Sequence, residues 1–270
     1  MFNEGDLVAD RYELVENLGS GGMGDVWRAL DRHDGRGDIA LKFIRPDFAR
    51  MKWPIEFFER EVMNSKKLTA PTVVRVYDLN REGDVWFIVM EYVDGEDLDE
   101  RLERYKAEEG RAFTIEEMLA VARDICAAVE HAHGENILHL DLKPGNIMAV
   151  DGGGYKLMDF GLASSYGTRT TRDRQAPGYS NGYSPPEQVL GRQIDRRSDV
   201  YSLAATLYEL LAGKPPHART DYAAAYEIPE PIEGIPNHIN AALLTALSKS
   251  PTFRPASAMG LLSALEGNAG

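Results

Sequence analysis

The sequence predicts an α+β fold in two lobes: a small antiparallel β-sheet lobe with one helix, then a larger, mainly α-helical lobe. Three observations carry this. Short alternating apolar stretches, punctuated by glycine and polar turns, fill most of the chain before Gly95. A capping box then opens a long stretch of helical periodicity. Further helical segments run from Ser198 to Leu265.

Taken in order, Tyr12-Glu13-Leu14-Val15 alternates and runs into glycines, and Asp25-Val26-Trp27-Arg28-Ala29 resumes beyond them. This is a hairpin whose loop is Gly19-Ser20-Gly21-Gly22-Met23-Gly24. A strand from Ile39 to Ile44, a helix from about Glu56 to Lys67, and strands from Val73 to Leu79 and Val85 to Met90 complete the small lobe. Thr114, followed three residues later by Glu117, starts a helix with Ile115, Met118, Leu119, Ala122, Ile125, Cys126 and Val129 as its buried stripe. Ile137-Leu138, Ile147 to Val150 and Tyr155 to Met158 read as brief strands lining a cleft. Helices follow at Val200 to Leu211, stopped by Gly213 and Pro215-Pro216, at Ile239 to Ser248 and at Ala256 to Leu265. The 270 residues read as a single domain: small lobe about 8–90, connection about 91–95, large lobe about 96–266.

Composition narrows the function classes. With 43% hydrophobic and 27% charged residues, the chain is neither disordered nor a disulfide miniprotein. Thirty Lys and Arg against 43 Asp and Glu leave −13, and no basic block interrupts that balance, so no nucleic-acid partner is expected. The lone Cys126 cannot form an intramolecular disulfide, which points to a reducing cytoplasm. The start lacks the charged and apolar regions of a signal peptide, and no apolar run approaches a membrane span. The expected location is cytoplasmic, either alone or as the cytoplasmic part of a longer membrane-anchored protein.

Chemistry concentrates in a few motifs. Gly19, Gly21 and Gly24 fit G-x-G-x-x-G, where backbone N–H groups can approach phosphate. The loop joins two strands, which argues against a dinucleotide fold, whose loop opens a helix. Taken alone, a flexible hairpin explains it better. Lys42 ends an apolar strand and needs an anion if its ammonium is buried, whereas a snorkelling surface lysine needs none. Glu61 is the preferred partner on the following helix, with Glu56 and Glu59 as competitors. The strongest signal is His139-Leu140-Asp141-Leu142-Lys143-Pro144-Gly145-Asn146 followed by Asp159-Phe160-Gly161. Oxygen donors from Asp141, Asn146 and Asp159 meeting in a cleft suit Mg²⁺, a hard ion that also takes phosphate oxygens.

On these motifs the chain resembles a protein kinase, specifically the bacterial serine/threonine kinases of eukaryotic type, over about residues 8 to 266. The resemblance implies an ATP-dependent enzyme that transfers the γ-phosphoryl group to Ser or Thr hydroxyls of protein substrates, with Mg²⁺ as cofactor and Mn²⁺ as a substitute; the alternative is a catalytically weak or dead kinase-fold scaffold or nucleotide-binding interaction module. Gly19, Ser20, Gly21, Gly22, Met23 and Gly24 would cover the phosphates. Lys42, held by Glu61, would take the α/β-phosphates; Asp141 would accept the hydroxyl proton; and Lys143 would steady the γ-phosphate. Asn146 and Asp159 would hold the metal. Val26 and Ala40 would lie above the adenine and Met148 below it, with Met90 as gatekeeper, Glu91 and Val93 as hinge contacts and Asp97 near the ribose. The resemblance further implies that Glu187 pairs with Arg254 and that Asp199 braces the catalytic-loop backbone.

The sequence departs from the family pattern at Leu140, where Arg is usual and receives an activation-loop phosphate. Leucine cannot do this, so activity is expected not to depend on phosphate docking there. Pro185 replaces the usual small residue before Pro-Glu, and Ser180 falls where a Thr is common. The segment Thr168-Arg169-Thr170-Thr171-Arg172-Asp173-Arg174 is hydroxyl-rich and basic. Autophosphorylation there, by self-association of two copies, and a merely solvated loop are both open.

Overall fold

The computed structural model describes residues 2–21, 24–33, 35, 37–44, 59, 62–160, 182–217 and 227–268. The chain divides into two units, one of Met1–Thr69 with Val74–Asp94 and one of Ala70–Val73 with Gly95–Gly270.

The first unit is a six-stranded antiparallel sheet of β1 (Leu7–Val8), β2 (Tyr12–Gly21), β3 (Gly24–Asp31), β4 (Asp38–Phe43), β5 (Val76–Glu82) and β6 (Val85–Glu91), in the order β1-β2-β3-β4-β6-β5. Alternation sends Trp27, Ala29, Ile39, Leu41, Phe43, Phe87 and Val89 to one face, where they form the core with Val8, Tyr12 and Leu14. Phe2 stacks on Phe43 with ring centroids 4.2 Å apart. The glycine segment is a tighter hairpin than the sequence suggests. Its strands run on through Ser20↔Asp25 and Gly21↔Gly24, after register shifts at Leu14/Glu16 and Asn17/Gly19. Residues 62–65 are helical, as is Glu59, which is exposed; Lys66 and Lys67, expected in the same helix, form a turn that closes it two residues early, and residues 56–58, 60 and 61 lie outside the described residues.

The expected strand at Val73 starts later, at Val76. Val73 instead bridges Leu157 in parallel, and the Leu157 N–H donates to the Thr72 carbonyl at 2.9 Å, so that short stretch belongs to the second unit.

The second unit is mainly helical: α1 (Leu98–Arg104) with a π-turn at Tyr105–Glu109, α2 (Ile115–Gly134), α3 (Pro186–Val189), α4 (Arg196–Ala212), α5 (Asn237–Ala246) and α6 (Ala258–Leu265). A three-stranded sheet of β7 (Gly95–Asp97), β8 (Ile147–Val150) and β9 (Tyr155–Leu157) accompanies them. Thr114 and Glu117 form the expected capping box on α2. Gly213, with φ 70°, ends α4. Every residue of α4 from Ser198 to Leu211 is buried, and two of its hydroxyls are satisfied within the helix, Ser202 donating to the Ser198 carbonyl and Thr206 to the Ser202 carbonyl. Ile137-Leu138 is not a strand; it follows the turn closing α2, where the Ile137 N–H donates to Ala132.

Candidate active site

The loop that carries Asp141 is built on a buried carboxylate. Asp199, fully buried in the first turn of α4, accepts the Leu140 N–H on Oδ1 at 2.8 Å and the His139 N–H on Oδ2 at 2.9 Å. The His133 Nε2 lies 2.7 Å from Oδ2. The carboxylate thereby bolts two successive backbone amides in place, as the sequence implied.

His139 sets the next layer. Its Nδ1 accepts the Asp141 N–H at 3.2 Å, so the proton sits on Nε2, which donates to the Met158 carbonyl at 2.9 Å. The Met158 N–H donates to the Asn146 carbonyl at 3.0 Å. Met158, through the N–H of one peptide and the carbonyl of the next, therefore links the loop that carries Asp141 and Asn146 to the strand end that carries Asp159. His139 also meets the Phe160 ring edge-on, centroids 4.6 Å apart.

Three predicted site residues are brought into direct contact. Asn146 Nδ2 donates to the Asp141 carbonyl at 2.7 Å and to its Oδ2 at 3.0 Å, and Lys143 Nζ lies 3.2 Å from the same carboxylate oxygen. Pro144 opens a single 3₁₀ turn, Pro144–Asn146, that brings Asn146 back toward Asp141. With the amide nitrogen of Asn146 committed, its carbonyl oxygen is the atom left for a cation. Leu140 and Asp159 both hold left-handed backbone, φ 63° and 62°, which non-glycine residues adopt at a cost of about 1–3 kcal/mol.

Asn146 and Asp159 fit the donor chemistry of Mg²⁺, a hard ion that takes oxygen ligands, since both offer oxygen. Among the described residues no group of three or more His, Cys, Asp or Glu is assembled.

Asp97 and Met148 are cross-strand partners of β7 and β8. Asp97 is also the N-cap of α1, its Oδ1 accepting from Asp99 N at 2.9 Å and Glu100 N at 3.0 Å, a role the sequence reading did not assign. Gly95 has φ 151°, and a Cβ there would lie 2.0 Å from the Ala149 carbonyl oxygen, so only glycine lets β7 approach β8.

Within the sheet unit, the register Val26↔Lys42, Lys42↔Ile88 and Ala40↔Met90 sets Val26, Ala40, Lys42 and Met90 on one face, opposite the core face. Ala40 and Met90 are buried. The Glu91 N–H donates to the Arg75 carbonyl at 2.8 Å. Val93 follows β6 and is half-buried. Glu61, Gly22, Met23, the 168–174 segment and Ser180 lie outside the described residues.

The far end of the loop system is anchored by Arg254. Its Nη1 and Nη2 donate to the two oxygens of Glu187 at 2.6 and 2.8 Å, Ser198 Oγ donates to the same carboxylate at 2.7 Å, and both partners are buried. Tyr183 donates its hydroxyl to Glu209, and burial pushes the Glu209 carboxyl above the usual range.

The protein kinase domain family matches residues 12–254. The chain belongs to this family. It is 38% identical over 263 residues to the serine/threonine-protein kinase PknB of Mycobacterium tuberculosis, covering 92% of this chain and 41% of that protein. It is 36% identical over 279 residues to a probable serine/threonine-protein kinase of Corynebacterium efficiens, covering 96% and 41%. The crystal structure of the Mycobacterium tuberculosis PknI kinase domain matches with a TM-score of 0.79 at 27% identity, covering 100% of both chains. The chain thus spans about 41% of the length of these curated relatives. Both motif-rich stretches that suggested the resemblance lie inside the matched region. No helix among the described residues is long and apolar enough to cross a membrane.

Sequence reasoning gave His139 no role of its own and missed Gln188, whose Nε2 donates to the Leu140 carbonyl at 3.0 Å. Both act on main-chain atoms, which leave no pattern in the sequence. The only available signal was the position of His139 two residues before Asp141.

Proposed function

We propose that this chain is an ATP-dependent serine/threonine protein kinase, acting on protein hydroxyls in the cytoplasm. The observation that carries this reading is the cluster of Asp141, Lys143 and Asn146 on a loop whose backbone is fixed by Asp199 and His139. Phosphoryl transfer asks the protein chiefly for positioning and charge stabilisation, and this loop supplies both.

In this reading Asp141 accepts the proton of the incoming hydroxyl, and Lys143, already beside it, neutralises charge on the γ-phosphoryl group. Lys42, with Glu61, takes the α/β-phosphates, and Gly19, Ser20, Gly21, Gly22, Met23 and Gly24 cover them. Val26, Ala40, Met90 and Met148 enclose the adenine. Because the Glu91 N–H is already held by Arg75, the base meets Glu91 through its carbonyl and Val93 through its N–H. Asp97 keeps one oxygen for the ribose while Oδ1 caps α1. Asn146 and Asp159 would hold Mg²⁺ or Mn²⁺, which would neutralise phosphate charge. Copies associate for autophosphorylation in the 168–174 segment.

The test is transfer of label from γ-labelled ATP with Mg²⁺ to casein. Wild type is expected to label the acceptor with γ- but not α-labelled ATP, and Lys42→Met to lose at least 100-fold in rate. No transfer by wild type, or transfer of the α-label, overturns the reading. Because Leu140 cannot receive a phosphate, activity should survive phosphatase treatment; a collapse to baseline would contradict that part.

A further inference from the structure

We propose that Gln188 is a positioning residue for phosphoryl transfer, its side-chain amide holding the peptide that joins Leu140 to Asp141. This rests on the kinase reading of Asp141. That peptide has two polar edges. Its N–H, from Asp141, donates to His139 Nδ1 at 3.2 Å, and its carbonyl, from Leu140, accepts from Gln188 Nε2 at 3.0 Å. With Leu140 in left-handed backbone at φ 63°, the plane sits in a conformation that an L-residue leaves readily unless it is held. Rotation of this plane would redirect the Asp141 side chain, so the two bonds together aim the base.

Packing does not account for the amide. Gln188 is 3% exposed, and its Oε1 has no hydrogen-bond partner among the described residues. A buried amide left half-satisfied gains little stability, since an apolar chain of the same length would only exchange the orphaned Oε1 for an unpaired Leu140 carbonyl. The Leu140 carbonyl supplies the missing reason. Gln188 is itself fixed, because the adjacent Glu187 is locked by Arg254 at 2.6 and 2.8 Å and by Ser198 at 2.7 Å. The position of α3 is thus transmitted to the base through a main-chain carbonyl, a route that needs no arginine at position 140.

The test compares the whole chain with Gln188→Met, which keeps length and apolar volume but donates nothing, and with Gln188→Leu should the first variant fail to fold. Steady-state transfer to casein and thermal unfolding are measured together. The expected result is a roughly tenfold fall in kcat with the KM for ATP within about twofold of wild type and Tm unchanged or raised. A merely structural role would lower Tm without this split. If a folded variant keeps wild-type kcat, or if kcat falls only alongside Tm while KM rises, the proposal is overturned and the kinase reading stands. If wild type transfers nothing, the kinase reading fails and takes this proposal with it.

Discussion

Asp199 is fully buried and accepts hydrogen bonds from His139 and Leu140 main chain with His133 alongside. An asparagine there offers one acceptor oxygen and turns an NH₂ group toward an N–H, leaving at least one buried donor unpaired, at about 1–3 kcal/mol. Asp199→Asn is therefore expected to lower kcat tenfold or more through the displaced loop, and to lower Tm, checked by steady-state assay and thermal unfolding. Glu187 and Arg254 are a buried pair, and losing one member leaves the other charge stranded. Arg254→Met should cost about 3–5 kcal/mol in denaturant titrations. The side chains proposed to do chemistry, Asp141, Lys143, Asn146 and Asp159, stand out in the sequence because they sit at short spacings. Those that act on backbone atoms, His139 and Gln188, were not.

At the scale of elements, glycines of the hairpin differ in what they do. At Gly24, φ is 152° and an added Cβ would lie 1.6 Å from the Phe43 carbonyl oxygen. At Gly19, φ is 154° but nothing lies within 4 Å. Gly24→Ala should therefore destabilise the sheet unit by more than about 2 kcal/mol and Gly19→Ala by less, a difference read by hydrogen exchange in β3 and β4. The strands with alternating cores and the capped helix α2 were readable from period and capping. The boundaries of α4 were less so, since a helix buried on all sides shows no amphipathic stripe. The two-residue β1, three-residue β7 and four-residue α3 are too short for a pattern, and tertiary partners decide them.

At the scale of the whole molecule, the fold class follows from the order of periodicities, strands before Gly95 and helices after it. The pairing of Val73 with Leu157 does not, because it joins distant segments through backbone alone. The helical unit also carries a pH dependence. His217 is buried against the Tyr201 hydroxyl at 3.0 Å and Lys249 Nζ at 3.1 Å, with Glu227 3.9 Å from its Nδ1. Burial and then Lys249 lower its pKa to about 4. The unfolded chain binds a proton at His217 between about pH 6.5 and 4 that the fold refuses, so this stability is present above pH 6.5 and lost as pH falls toward 4. His217→Gln should flatten the fall in stability across that window, by at most about 3 kcal/mol at its acid end, read by denaturant titration at each pH.

The central claim is that Asp141 is the base and that its loop is held ready for it. It is tested most directly by Asp141→Asn, measured for both kcat and equilibrium affinity for ATP with Mg²⁺. The account predicts a loss of at least 100-fold in kcat with affinity within about threefold of wild type. A variant that transfers the γ-phosphoryl group at the wild-type rate would contradict it.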